Sequence, residues 1–243
     1  MRVYSSDLHI HTCLSPCGDL EMAPKDIVRR AREEGLDIIG ITDHNTGKNV
    51  GAVQEAAEGF SVSVMPGMEV QTIEEVHVLT FFETVDDLMT WDGMVYEALP
   101  DIANNPAYFG DQPIVNADGE ILGFEEKLLL NSLRMTLEQV FREVGRLGGY
   151  CIPAHIDKES FGLIRHLGLI PLNLNIAVAE VQDLQQAPQR ADLEGMQLIT
   201  SSDAHFLAEV GTRRSDLLLR EASFLELTMA LEGKEGRRVV SIR

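Results

Sequence analysis

No run of about eighteen apolar residues occurs in this sequence, so no segment reads as a membrane-spanning helix. The chain starts Met1-Arg2-Val3-Tyr4 and enters a strand-like run at once, without the apolar leader of a secreted protein. Cysteine is scarce: Cys13, Cys17 and Cys151 are too few, and odd in number, for a disulfide framework. The expected home is therefore a reducing cytoplasm. Positive charge is also scarce, with 20 Lys and Arg against 39 Asp and Glu and a formal charge of −19. Such a surface repels nucleic acid and anionic membrane at long range, which argues against either as a partner.

What the sequence does have is a set of histidines in a repeated setting. Six of the seven stand at or near the ends of apolar runs, several beside acids: Asp7-Leu8-His9-Ile10-His11, Thr42-Asp43-His44, Val76-His77-Val78, Pro153-Ala154-His155 and Ser202-Asp203-Ala204-His205. Only His166, between Arg165 and Leu167, lacks it and reads as structural. Imidazole and carboxylate together are the ligands that hold Zn, Mn or Fe. His9 and His11 are two apart, so on a strand their side chains share a side. Glu69 ends the apolar run Met65-Pro66-Gly67-Met68. A carboxylate buried there needs a metal or a cationic partner such as an arginine, and it can bridge two metals where an imidazole cannot. Part of the acidic excess then belongs to metal sites, since two or three divalent ions restore roughly four to six positive charges.

The first 82 residues alternate strand and helix. Strands are expected at Val3 to Ile10, Asp37 to Thr42, Ser61 to Val70 and His77 to Phe82. Helices are expected at Pro24 to Glu34, with Pro24 near N1 and Gly35 as the stop, and at Val50 to Glu58. This beat is that of a parallel sheet or barrel, in which every strand end named above points to one face. Residues 83–135 break it with a helix starting at Thr84 and a turn-rich stretch, read as an insertion capping the mouth of a single domain spanning 1–243. Regularity returns with the capping box Thr136-Leu137-Glu138-Gln139. Strands follow at Tyr150 to His155, Ala177 to Val181 and Gln197 to Ser201, then a helix capped by Ser223 and a final strand, Arg238 to Ile242.

In order along the chain, Asp7-Leu8-His9-Ile10-His11-Thr12, Ile41-Thr42-Asp43-His44, Gly67-Met68-Glu69, His77, Pro153-Ala154-His155 and Ser202-Asp203-Ala204-His205 resemble the motif set of the PHP (polymerase and histidinol phosphatase) superfamily. The resemblance implies an α/β fold, a distorted (β/α)7 TIM-like barrel, with two or three divalent ions at one face. It implies a first metal position at His9, His11, Glu69 and Asp203, and a second at Glu69, His77 and His155. A third would use His44 and His205 with one ligand from the loop after His11. Histidinol-type phosphatases carry a histidine six residues past the His-x-His pair; here Cys17 stands there, with Asp19 the nearest aspartate. A thiolate would favour Zn or Fe, an aspartate Mn or Mg, and Cys17 also reads as a small residue packed beside Pro16.

The implied activity is hydrolysis of a phosphate ester by a metal-activated hydroxide. Glu69 would be the shared ligand, and Asp203 or His205 would relay a proton to the leaving oxygen. Lys158, Lys48 and Arg213 are the cations near the motifs that would grip phosphate, and each also reads as a surface residue. A small phosphorylated substrate, most simply a monoester or nucleotide, is expected. The alternatives are a nuclease or repair phosphodiesterase and a non-catalytic module of the same fold.

Overall fold

The computed structural model describes residues 1–182 and 193–243. The strands are β1 (Arg2–Ile10), β2 (Ile38–Ile41), β3 (Ser63–Gln71), β4 (His77–Phe81), β5 (Pro113–Val115), β6 (Ile121–Phe124), β7 (Tyr150–Pro153), β8 (Val178–Glu180), β9 (Gln197–Ile199), β10 (Ser215–Leu219) and β11 (Arg238–Ile242). The helices are α1 (Pro24–Glu33), α2 (Val50–Ala56), α3 (Val85–Ala98), α4 (Pro106–Phe109), α5 (Leu137–Arg146), α6 (Leu163–Leu167) and α7 (Phe224–Leu231).

Local chemistry sets the helix ends. Pro24 opens α1, where its missing N–H costs nothing, and Ile27, Val28 and Ala31 face the core. Gly35 follows at φ 70°, a left-handed residue past the last turn. Thr84 and Ser223 cap α3 and α7 through their side-chain oxygens. Thr136 and Gln139 form the expected reciprocal box at the start of α5.

The main sheet has seven strands in the order β11-β10-β1-β2-β3-β4-β7. Only β1–β2 and β2–β3 are parallel; the other neighbours are antiparallel. A second, two-stranded parallel sheet, β8–β9, packs between the edge strands β7 and β11. The fold is thus mixed α/β with a curled half-barrel sheet, in which antiparallel neighbours replace part of the parallel order expected of a distorted (β/α)7 barrel. The cause is local. Only Thr72 to Val76 separate β3 from β4, too short for the crossover that parallel neighbours need. The strand β10, where the sequence suggested none, returns antiparallel along β1.

Leu8, Ile38, Met65, Leu79, Phe81, Ile152, Val178, Ile199 and Leu217 meet in one buried cluster. They come from β1, β2, β3, β4, β7, β8, β9 and β10, so the concave interior is packed. Helices α1, α2, α3 and α5 bury the outer face with Ile39, Ile41 and Val64. The polar side chains of interest stand on the rim above the interior. Residues 83–135 hold α3, α4 and the hairpin β5–β6, whose strand β6 is largely exposed.

Candidate metal centre

Each element brings one or two side chains to the rim. His9 lies in β1 and His11 just beyond its end; His44 follows β2; Glu69 lies in β3; His155 follows β7; Asp203 and His205 follow β9. His77 arrives differently, as the first residue of β4. Because β4 runs antiparallel to β3, its start lies on the same rim, with His77 opposite Gln71. Strand-end placement therefore holds for His77 only once direction is reversed. His155 and Asp203 have φ values of 29° and 55°, backbone that side chains rarely adopt. It is held in place by His155 N–H donating to Glu180 Oε2 at 3.0 Å, and by bridging of Ala204 to His9 and His11.

Glu69 is the hub, and it is 1% exposed. Its Oε1 lies 3.2 Å from His9 Nε2, 2.9 Å from His77 Nδ1 and 3.1 Å from His155 Nε2. Its Oε2 lies 3.0 Å from His44 Nδ1 and 3.5 Å from His11 Nε2. Asp203 Oδ1 faces the same pair, 3.4 Å from His9 Nε2 and 3.5 Å from His11 Nε2.

The outer ring nitrogens decide what the inner ones offer. His9 Nδ1–H donates to Glu180 Oε2 at 3.0 Å, and His11 Nδ1–H to Ser15 Oγ at 3.0 Å. Ser15 Oγ must accept there because its own proton goes to Asp43 Oδ1, 2.7 Å away. His77 Nε2–H donates to Gln71 Oε1 at 3.3 Å, and His205 Nδ1–H to the Asp203 carbonyl at 2.8 Å. Neutral rings so anchored turn lone pairs inward, and His9, His11 and His77 point theirs at carboxylate oxygens. Lone pairs facing a carboxylate at about 3 Å need protons or a cation between them. Glu69 Oε2, buried, accepts no hydrogen bond among the described residues. Donor atoms of His9, His11 and Glu69, of His44, Glu69 and His77, and of His11, His44 and His205 each converge to within 4.8 Å. This donor set fits divalent cations.

Without a metal, the electrostatics put a proton where a cation would stand at His9 and keep His11 and His77 neutral. Burial alone would hold His9 neutral, but Glu180, Glu69 and Asp203 lift it well above the usual imidazole range. Burial and the neighbouring His205 and His44 push His11 well below it, and burial lowers His77 to about 4. Burial opposes ionisation of Glu69, yet His77, His9 and His44 hold it well below the ordinary carboxylate range. Burial likewise opposes ionisation of Cys17, and His44 and His205 bring its thiol down to about 6.

Eight of the expected ligands thus converge: His9, His11, His44, Glu69, His77, His155, Asp203 and His205. Cys17 lines the same cleft, of about 300 Å³. Asp19 is not among the residues that line it, and its Oδ1 accepts from Glu21 N–H at 2.8 Å. Lys158 is in the cleft, 3.0 Å from Asp203 Oδ2. Lys48 is turned away, paired with Glu125 and lying over the Tyr96 ring. Arg213 donates to the carbonyls of Gln182 and Ser202 behind Asp203. His166 accepts from Phe161 N–H at 3.2 Å, and Phe161 stacks on His77.

Several contributors escaped the sequence reading. Glu180 anchors both His9 and His155. Asp7 accepts from Ser202 and Gly211 N–H at 3.0 and 2.9 Å, fixing the loop that carries Asp203. Asp43, by contrast, was visible in the Thr42-Asp43-His44 motif as an acid suited to orient an imidazole, and the ring it orients is that of His11, through Ser15. For Glu180 a signal existed: an acid ending the apolar run Ile176-Ala177-Val178-Ala179, the same setting as Glu69.

A family model described as the PHP domain matches residues 7–165. The uncharacterized protein YqxK of Bacillus subtilis is 23% identical over 99% of this chain and 65% of its own length. The 5′-3′ exoribonuclease Rnm of Salmonella typhimurium is 36% identical over 29% of this chain and 24% of its own. The chain thus spans less than two thirds of these curated relatives. Among solved structures, the lesion-specific endonuclease PfuEndoQ from Pyrococcus furiosus superposes with a TM-score of 0.74 at 18% identity, covering 99% of this chain and 58% of that one. Endonuclease Q in complex with a 27-mer duplex carrying an abasic lesion at its active site gives 0.73 at 17%, covering 99% and 59%. That complex, in which a protein of similar fold takes a duplex substrate, overturns the expectation of a small phosphorylated substrate with nucleic acid set aside. Net charge governs long-range approach and is screened beyond about 8 Å at physiological salt, whereas contact charges decide what a cleft grips. No helix among the described residues is long and apolar enough to cross a membrane.

Proposed function

The chain belongs to the PHP domain family, and from that membership we propose that it is a metal-dependent phosphodiesterase acting on nucleic acid strands. The observation that carries this is Glu69, one buried carboxylate whose two oxygens face five imidazoles. In this reading His9, His11, Glu69 and Asp203 would hold one ion, and Glu69, His77 and His155 a second. His44, His205 and Cys17 would hold a third. We read 1–243 as one unit of this kind, with 83–135 inserted at its mouth. When bound, such ions supply Lewis acidity, lowering the pKa of water and neutralising charge on phosphoryl oxygens.

The protein's own groups do the rest. Glu69 is held ionised and fixed by its neighbours, so it can serve two ions at once. Glu180, Ser15 and Gln71 lock His9, His11 and His77 in the tautomers that present the inner nitrogen. Lys158 Nζ, held by Asp203 Oδ2, is the cation in the cleft that can donate to a phosphoryl oxygen. Asp203 shares that proton and is the relay toward the leaving oxygen. Leu130 and Phe161 form the apolar part of the wall. Nucleic acid is supported as substrate by the two named relatives, an exoribonuclease and a lesion endonuclease.

The test is metal analysis of the purified protein, then incubation of end-labelled single-stranded RNA, single-stranded DNA and an abasic duplex with Mn, Zn or Fe(II). Cleavage of at least one polymer is expected. Glu69→Gln should lose bound metal and cleavage together. No cleavage with any ion, or full metal content in Glu69→Gln, would refute the proposal.

A further inference from the structure

A second cavity lies beside the metal cleft and is larger, about 500 Å³ against about 300 Å³. Asn104, Pro106, Asp111, Gln112, Phe124 and Glu126 line it. Two contacts make it a neighbour of the cleft. Asn104 Nδ2 donates to Gly110 O at 2.9 Å, and Gly110 sits so tightly on Pro16 that a Cβ would come within 2.3 Å of Pro16 O. The next residue, Cys17, lines the cleft. On the other flank Gln112 Oε1 accepts from Leu129 N–H at 3.0 Å, and Leu130 lines the cleft.

The lining chemistry is one-sided. Phe124 presents an aromatic ring that is 54% exposed. Gln112 is used up, its amide donating to the carbonyls of Glu125 and Lys127. Glu125 is used up by Lys48 and by Glu126 N–H. Asn104 Oδ1 is sealed from solvent and has no partner among the described residues. Its neighbours in the lining, Asp111 and Glu126, are carboxylates. The groups left to meet a ligand are an aromatic face and two carboxylates, those of Asp111 and Glu126. They repel phosphate and suit a flat group that brings N–H donors.

We propose that this cavity is a nucleobase subsite, which receives the base of a nucleotide whose phosphodiester lies in the metal cleft. It favours the amino-bearing bases adenine, cytosine and guanine over uracil. The proposal rests on the nucleic-acid reading above. It adds a division of labour: phosphate goes to the cationic cleft, and the base goes to the acidic, aromatic cavity across the Pro16–Cys17 wall.

Nucleosides without phosphate separate the two cavities. Adenosine, cytidine and uridine are titrated by saturation-transfer NMR into the metal-free wild type, Phe124→Ala, Phe124→Tyr and Glu69→Gln. Adenosine should bind the wild type, Phe124→Tyr and Glu69→Gln alike. Phe124→Ala should bind it about fivefold or more weakly, the loss expected for one base–aromatic stack. Cytidine should bind more tightly than uridine. Adenosine binding that is absent, that survives Phe124→Ala, or that is lost in Glu69→Gln would overturn the subsite, and so would uridine binding as well as cytidine. If adenosine binds through Phe124 while no polymer is cleaved, the subsite stands and the hydrolytic reading falls.

Discussion

Glu180 stands behind the candidate metal ligands rather than among them. It accepts the outer N–H of His9 and the backbone N–H of His155, and it is 2% exposed. Removing its charge should leave the packing intact but release the His9 tautomer. Outer partners of this kind are worth about 10- to 100-fold in metal affinity. Glu180→Gln should therefore weaken metal binding by about that factor in a chelator competition, with the unfolding midpoint of the metal-free protein little changed. Unaltered affinity would show that His9 orients without it. Cys17 offers a second measurement. The residue is exposed at the cleft edge, and His44 and His205, against the effect of burial, bring its thiol down to about 6. Cys13 is buried and pushed up to about 12. A thiol with a lowered pKa gains thiolate as pH rises through that value, and thiolate is what alkylates. Iodoacetamide should then label Cys17 alone at pH 7, with a rate that rises through about pH 6 and falls when Zn is added. Equal labelling of Cys13, or no protection by Zn, would place the third ion elsewhere.

The elements were legible where their signals are local. The α1 proline, the Thr136 capping box and the apolar runs of β1, β2 and β3 each follow from neighbours in sequence, and the structure has them. Strand direction was not legible, because period-two alternation reads the same forwards and backwards. Hence β4 and β10 run against the expected parallel order, and His77 reaches the rim from a strand's beginning. The eight converging site residues were legible because acids and imidazoles at strand ends are conspicuous. Glu180 was not, since one acid after Val178-Ala179 also fits an ordinary strand end. Two glycines carry a further constraint that no motif records. Gly40 in β2 and Gly67 in β3 lie under the Phe81 ring, where added Cβ atoms would approach it to 2.8 and 2.7 Å. At Gly40 the Cβ would also meet the Leu8 carbonyl at 2.6 Å, and backbone cannot swing away. Gly40→Ala should destabilise by about 1–3 kcal/mol, the usual cost of overpacking. A lowered denaturant midpoint at unchanged slope would register it, and an unchanged midpoint would mean that β1 and β2 separate more easily than their ladder suggests.

At the scale of the whole molecule, a formal charge of −19 and the proposed nucleic acid substrate have to be reconciled. Proteins that bind DNA through the phosphate backbone place several cations along it and release as many counterions, so their affinity falls steeply with salt. Here many arginines are committed elsewhere: Arg29 and Arg30 to acids of α1 and its end, Arg237 to Glu226, and Arg243 to Asp216. Among the described residues Lys158 lines the cleft, and Arg213, behind Asp203, already serves two carbonyls. Recognition would then fall to bound metal ions on one phosphate and to stacking on the base, both short-ranged and weakly screened. The salt dependence should be shallow. With about two phosphates contacted, log KM for a single-stranded oligonucleotide should rise against log salt with a slope of roughly 1.4, at about 0.7 per contact. Steady-state cleavage between 50 and 200 mM salt, at saturating metal, measures it. A slope of roughly 4 or more would require a basic track of six or so contacts. Lys158 and Arg213 cannot supply that, and the strand would then be held on a surface other than the cleft described above.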